Sequence, residues 1–216
     1  MNALTTFHLL SFLYWALLLG ATVASLVFAV LAAKLQRQAF AIVSGGALAG
    51  ALFIAAIPAQ AGPGAFGVLL GMLALALAVV GGGPIAMLAL SLATKNSVPP
   101  GAHGGILVAA PGFPLSPAAA GPVGAGAVED AAPGSDPRVY EVLRGGLTIG
   151  ILERLAVAGA ILAGFPEAIA IVVAVKGVGR FTELAAAESR ERFIIGTLAS
   201  LIWACACAAL AVIAIG

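Results

Sequence analysis

Between Arg37 and Lys95 the chain carries no charged side chain. A stretch that long cannot form the surface of a water-soluble domain, in which roughly a quarter of the residues are charged. Across all 216 residues only 9% are charged, while 62% are hydrophobic. Several apolar runs exceed the roughly 18 residues that mark a spanning helix, so hydrocarbon is the solvent for most of the chain. Segments of about ten residues alternating in polarity, the mark of a membrane β-barrel, do not occur in the sequence. The fold class this implies is all-α, a polytopic transmembrane helical bundle.

Six apolar segments set its organisation. The first covers about Phe7 to Ala33 and ends at the polar cluster Lys34 to Gln38; the second covers about Ala39 to Ile57. "PAQAGPGA", Pro58 to Ala65, has the Pro and Gly of a tight loop, and a third helix follows over about Phe66 to Ala93. Residues 94–138 are rich in Pro, Gly and Ala, the composition of a linker without a packed core of its own. Three more segments follow, at about Gly145 to Gly164, Pro166 to Val178 and Phe193 to Ile215. The expected division is a three-helix membrane segment over 1–93, a cytoplasmic linker over 94–138 and a three-helix membrane module over 139–216. Lys34, Arg37, Lys95, Arg138, Arg144, Arg180, Arg190 and Arg192 then all fall on one side, and the positive-inside rule puts both termini outside a bacterial cytoplasmic membrane. The first apolar run is too long for a signal-peptide core and has no basic residues before it, so a retained first span is expected.

Charges inside the spans are the informative exceptions. "TIGILERLAVAG", Thr148 to Gly159, carries Glu153 and Arg154 side by side, and the fifth segment carries Lys176. Helices four and five are joined by the short turn "GFPE", which makes them antiparallel neighbours. Glu153 lies eleven residues before Gly164 and Lys176 ten residues after Pro166, so both reach roughly 15 Å below the surface. Each charge alone at that depth costs at least about 2.5–3.5 kcal/mol, and an intramembrane Glu153–Lys176 ion pair is the expected remedy. Arg154 is turned about 100° from Glu153 and faces another neighbour. With Arg180, Glu183, Thr197 and Ser200 it completes a polar seam, which suits either interhelical glue or an ion or proton path.

These same residues carry a resemblance. The combination "LER", "VKGVGRFTEL" and "IGTLAS", within Arg144 to Ile202, resembles a C-terminal membrane module of uncharacterised bacterial proteins and is similar to the end of the DUF3307 group. That group has Ala-Lys-Ser where this chain has Val175-Lys176-Gly177, which removes one hydroxyl. The resemblance implies that the seam residues belong together, and it lends no activity. The Ala- and Gly-rich style of the chain also resembles an actinobacterial accessory membrane protein, such as a small subunit attached to an MCE-type lipid transporter.

In the N-terminal half, "VVGGGPIAM" places Gly81, Gly82, Gly83 and Pro84 near the middle of helix three. Proline removes a donor and clashes with the carbonyl four residues back, so a kink or helix break is expected there. Breaks of this kind mark transporter sites, and they also let helices approach. In helix two, "GALAG" puts Gly46 and Gly50 on one face, the spacing of a close helix contact.

Enzymatic constellations are thin. His8 and His103 give no haem pair at matching depth, and Cys205 and Cys207, about 200° apart on a helix, cannot bridge each other. "GGGP" lacks the Lys-Ser/Thr of a phosphate loop. No catalytic residue, metal site or cofactor is expected, and the chain is not expected to be an enzyme. The linker has no polybasic cluster for anionic lipid. The expected partners are the lipid bilayer and a protein in a membrane complex, with no nucleic acid. Two function classes follow: a non-catalytic accessory or scaffold subunit of a larger membrane assembly, or a small ion- or proton-coupled transporter using Glu153 and Lys176.

Overall fold

The computed structural model describes residues 3–57, 64–93, 106–109, 139–142, 146–179 and 187–215. Its elements are α1 (Ala3–Leu35), α2 (Gln38–Ala55), α3 (Gly64–Ala93), β1 (Ile106–Ala109), β2 (Val139–Val142), α4 (Gly146–Leu162), α5 (Ala168–Gly179) and α6 (Ala187–Ile215). The helices form one bundle. Four of them have stretches long and apolar enough to cross a membrane: Leu9–Leu35, Gln38–Ala55, Gly64–Ala93 and Arg190–Ile215. The chain is an integral membrane protein. Helices α4 and α5 are shorter, at 17 and 12 residues, or about 25 and 18 Å against a hydrocarbon core of about 30 Å.

Tight turns set the pairing of neighbours. Gln36 takes a left-handed backbone conformation with φ 52°, and its side-chain amide donates to the Ala33 carbonyl at 2.7 Å, closing the end of α1. Arg37 is extended, and α2 starts at the next residue. At the end of α4, Gly164 has φ +75°, the Gly164 amide donates to Ile161 at 3.0 Å and the Phe165 amide donates to Ala160 at 2.8 Å. That pair of bonds is a Schellman cap, and Pro166 immediately after it prevents the helix from resuming in the same direction. The sequence "GFPE" is therefore a helix stop followed by the first turn of α5.

Lateral packing uses small and polar residues. Between α1 and α2, the Ser25 hydroxyl donates to the Ser44 carbonyl at 2.9 Å and the Ser44 hydroxyl donates to the Ser25 carbonyl at 2.8 Å. Antiparallel α3 and α6 approach closely: Gly67 faces Ile215 at one end and Gly196 faces Leu90 at the other. The core draws on both sides of the 94–138 segment, with Leu18 of α1, Leu48 of α2, Leu70 and Leu77 of α3, Val157 of α4 and Leu210 of α6 in one cluster.

Two expectations need correction, and one observation adds to the expected division. Helix α3 runs unbroken from Gly64 to Ala93 with Pro84 inside it, so Gly81, Gly82, Gly83 and Pro84 do not form a helix break. Proline deletes only its own donor, and a membrane helix tolerates this where neighbouring helices and small local adjustments satisfy the freed carbonyl. Gly46 and Gly50 are exposed, and a side-chain carbon at either would meet nothing within 4 Å. The contact face of α2 is Ala41, Ser44, Leu48, Ala51 and Ala55, because a serine in apolar surroundings must turn toward a hydrogen-bonding partner while glycine has no such need. Finally, β1 lies inside the segment expected to be a linker and pairs antiparallel with β2 across its boundary, with Ile106 opposite Val142 and Ala109 opposite Val139. The Ile-Leu-Val run of β1 has the β-branched composition of a strand.

If the serine clasp sets the rotation of α2, Ser25→Ala and Ser44→Ala will each lower stability by about 0.6–1.7 kcal/mol. The double variant will lose less than the two single losses added, as read by unfolding in mixed detergent micelles; strict additivity counts against the clasp.

Candidate functional site

Glu153 and Arg154 lie near the middle of α4, and both are buried, at 8% and 6% exposure. The neighbour of Arg154 is the glycine run of α3. In an α-helix the carbonyl of residue i is flanked by the side chains at i+3 and i+4, so glycines there leave its oxygen open from the side. Gly82 uncovers Val79 in this way, and Arg154 Nε donates to the Val79 carbonyl at 2.9 Å. Arg154 Nη1 donates to Ser200 Oγ of α6 at 3.0 Å. One guanidinium thus joins α3, α4 and α6 at mid-height of the bundle.

The fit is steric as well as polar. A side-chain carbon on Gly82 would overlap Arg154 Cδ, and one on Gly150, a turn earlier on α4, would lie 3.1 Å from Arg154 Nη1. Gly81 does the same for a second donor. Trp203 of α6 lays its indole against Gly81, where a side-chain carbon would come within 2.6 Å of the ring, and Trp203 Nε1 donates to the Leu77 carbonyl at 3.0 Å. Gly81 and Gly82 are sockets for Trp203 and Arg154. A side-chain carbon at Gly83, by contrast, would meet nothing within 4 Å.

On the other side of α4, Lys176 Nζ donates to Glu153 Oε2 in a salt bridge between α4 and α5. The ammonium also lies 5.3 Å from the centroid of the Phe193 ring on α6, a cation–π distance. Glu153 Oε1 is buried and has no hydrogen-bond partner among the described residues. Helix α5 has no buried residue, so this pair and its apolar contact with α4 hold it in place.

The structure thus brings together Glu153 with Lys176, and Arg154 with Ser200. Thr197 is half-buried one turn before Ser200. Arg180 and Glu183, the remaining seam residues, lie outside the described residues, as does His103. Sequence reasoning missed the α3 acceptors of Arg154 and Trp203, since both are backbone carbonyls, which no residue type announces. Sequence reasoning placed Arg192 between the fifth and sixth segments, and in the structure it is buried on α6 beside Phe193. Cys205 and Cys207 are both free thiols on α6. In comparisons with known proteins, the chain matches no protein-family model, no curated protein and no solved structure.

The socket geometry separates three adjacent glycines. Gly81→Ala and Gly82→Ala will each destabilise the protein by about 1–3 kcal/mol through overpacking. Gly83→Ala will be neutral, or will stabilise by up to about 1 kcal/mol through helix propensity. Micellar unfolding of the three variants checks this, and equal losses at all three positions contradict the sockets.

Proposed function

We propose that this chain is a non-catalytic accessory or scaffold subunit of a larger membrane assembly, set in a bacterial cytoplasmic membrane with both termini outside. The observation that carries the reading is the use made of the intramembrane polar groups. Arg154 is sealed against Gly82 and bonded to Val79 and Ser200, Trp203 is sealed against Gly81, and Lys176 is bonded to Glu153. Each of these contacts locks one helix to another, as a rigid element that presents its outer surface to partners requires. That outer surface is apolar, with Phe12, Leu13, Phe53, Val68, Met72 and Ile202 all pointing outward. A lipid transporter of the MCE type is the assembly implied by the Ala- and Gly-rich resemblance.

A second reading, a small ion- or proton-coupled transporter, draws on one observation: the buried Glu153 Oε1 without a donor among the described residues. The two readings diverge for paired neutral replacement. A buried ion pair can often be exchanged for packed apolar groups without loss of the fold, whereas removing one partner leaves an uncompensated charge.

For an accessory subunit, gentle extraction of the tagged protein from its native membrane, followed by mass spectrometry, will recover a partner at fixed stoichiometry. Glu153→Gln with Lys176→Met will leave that recovery intact, while Lys176→Met alone will destabilise the protein by about 3–5 kcal/mol. A homo-oligomer with no partner, together with proton-driven flux in proteoliposomes that the double variant abolishes, transfers the conclusion to the transporter.

A further inference from the structure

We infer that α4 crosses the membrane only by docking on α3, so that the N-terminal half of the chain is the insertion template for the C-terminal half. Helix α4 has 17 residues and holds two adjacent charges, Glu153 and Arg154, that point in different directions. It is not among the helices long and apolar enough to cross a membrane unaided. Each of its charges opposes insertion unless a partner is already in place.

The order of synthesis decides which partners those are. Arg154 bonds Val79, 75 residues earlier, and Ser200, 46 residues later. Lys176, the partner of Glu153, also comes 23 residues later. Since chains are made from the N-terminus, α3 is the one Arg154 partner present when α4 emerges. Residues 94–145, which include the paired strands β1 and β2, separate α3 from α4 in the sequence. At the level of Arg154, α4 meets α3 at the socket: the bare Val79 carbonyl beside Gly82, shaped for the arginine stem. The α4–α5 hairpin then brings Lys176 to Glu153, and α6 closes the site with Ser200 and Trp203.

The test uses the full chain with one added thiol and a membrane-impermeant maleimide applied separately to each face of sealed vesicles. Labelling is read above that of the parent, whose own Cys205 and Cys207 lie in α6. Gln36→Cys, in the α1–α2 turn, reports one face. Phe165→Cys, in the exposed α4–α5 turn, will label from the opposite face. Gly82→Leu will cut that far-face labelling by about tenfold or more while leaving Gln36→Cys unchanged. Adding Arg154→Ala to Gly82→Leu will restore it, because the leucine fills the space the arginine stem leaves and the charge is gone. The inference is overturned if Phe165→Cys does not label from the far face in the otherwise unaltered chain, if Gly82→Leu leaves its labelling as it was, or if Arg154→Ala fails to restore it.

Discussion

The arrangement of this bundle depends on one guanidinium. A single arginine at the centre of a spanning segment costs about 2.5–3.5 kcal/mol on insertion scales, and a hydrogen bond to a charged group returns about 1.5–3 kcal/mol. The two bonds that Arg154 makes, to Val79 and Ser200, return about 3–6 kcal/mol between them and so offset its presence. Its consequence is positional. The bonds form only where α3 exposes a carbonyl, where Gly82 leaves room for the stem and where α6 presents Ser200 at the same level. Any rotation or slip of one helix against the other two would leave the charge unpaired, so Arg154 specifies the relative position of three helices.

Apolar side chains cannot do this work in hydrocarbon, because lipid tails are as apolar as leucine. Leu17 and Leu18 make the point within α1: the first is 58% exposed and the second wholly buried, with no difference in chemistry between them. What distinguishes the inward face of α1 is Thr22 and Ser25, both buried, with Thr22 bonded to its own helix and Ser25 clasped to Ser44. The N-terminal pair is thus oriented by neutral hydroxyls and the C-terminal set by charges and an indole. The same constraint operates at two strengths.

Features encoded locally were legible in the sequence. Six apolar segments stand at the positions of the six helices, and "GFPE" marks the cap of α4 because Gly and Pro act on their own backbone. The pairing of Glu153 with Lys176 follows from counting along two helices joined by a short turn, and the two side chains form a salt bridge. Features encoded by a distant partner were not legible. Gly81 to Pro84 have the composition of a break, yet the donors that fill their surface lie on α4 and α6, with Trp203 as far as 126 residues from its acceptor. Gly46 and Gly50 have the spacing of a contact face, yet Ser44 sets the rotation of α2. In both cases the glycines alone could not say whether a neighbour would come.

The choice of acceptor gives the site an unusual relation to sequence. Arg154 and Trp203 bond to main-chain carbonyls at Val79 and Leu77, and every residue type supplies a carbonyl. Changing the side chain at either position cannot remove the acceptor. What makes it reachable is the missing side chain at Gly81 and Gly82, so the information that places α4 and α6 on α3 is written as an absence. The Glu153–Lys176 bridge is of the opposite kind, since both of its partners are side chains and it can be deleted or exchanged as a pair. Two adjacent residues of α4 therefore answer to different rules. Glu153 can change only together with Lys176, whereas Arg154 is held by a gap in α3 that any larger residue would close.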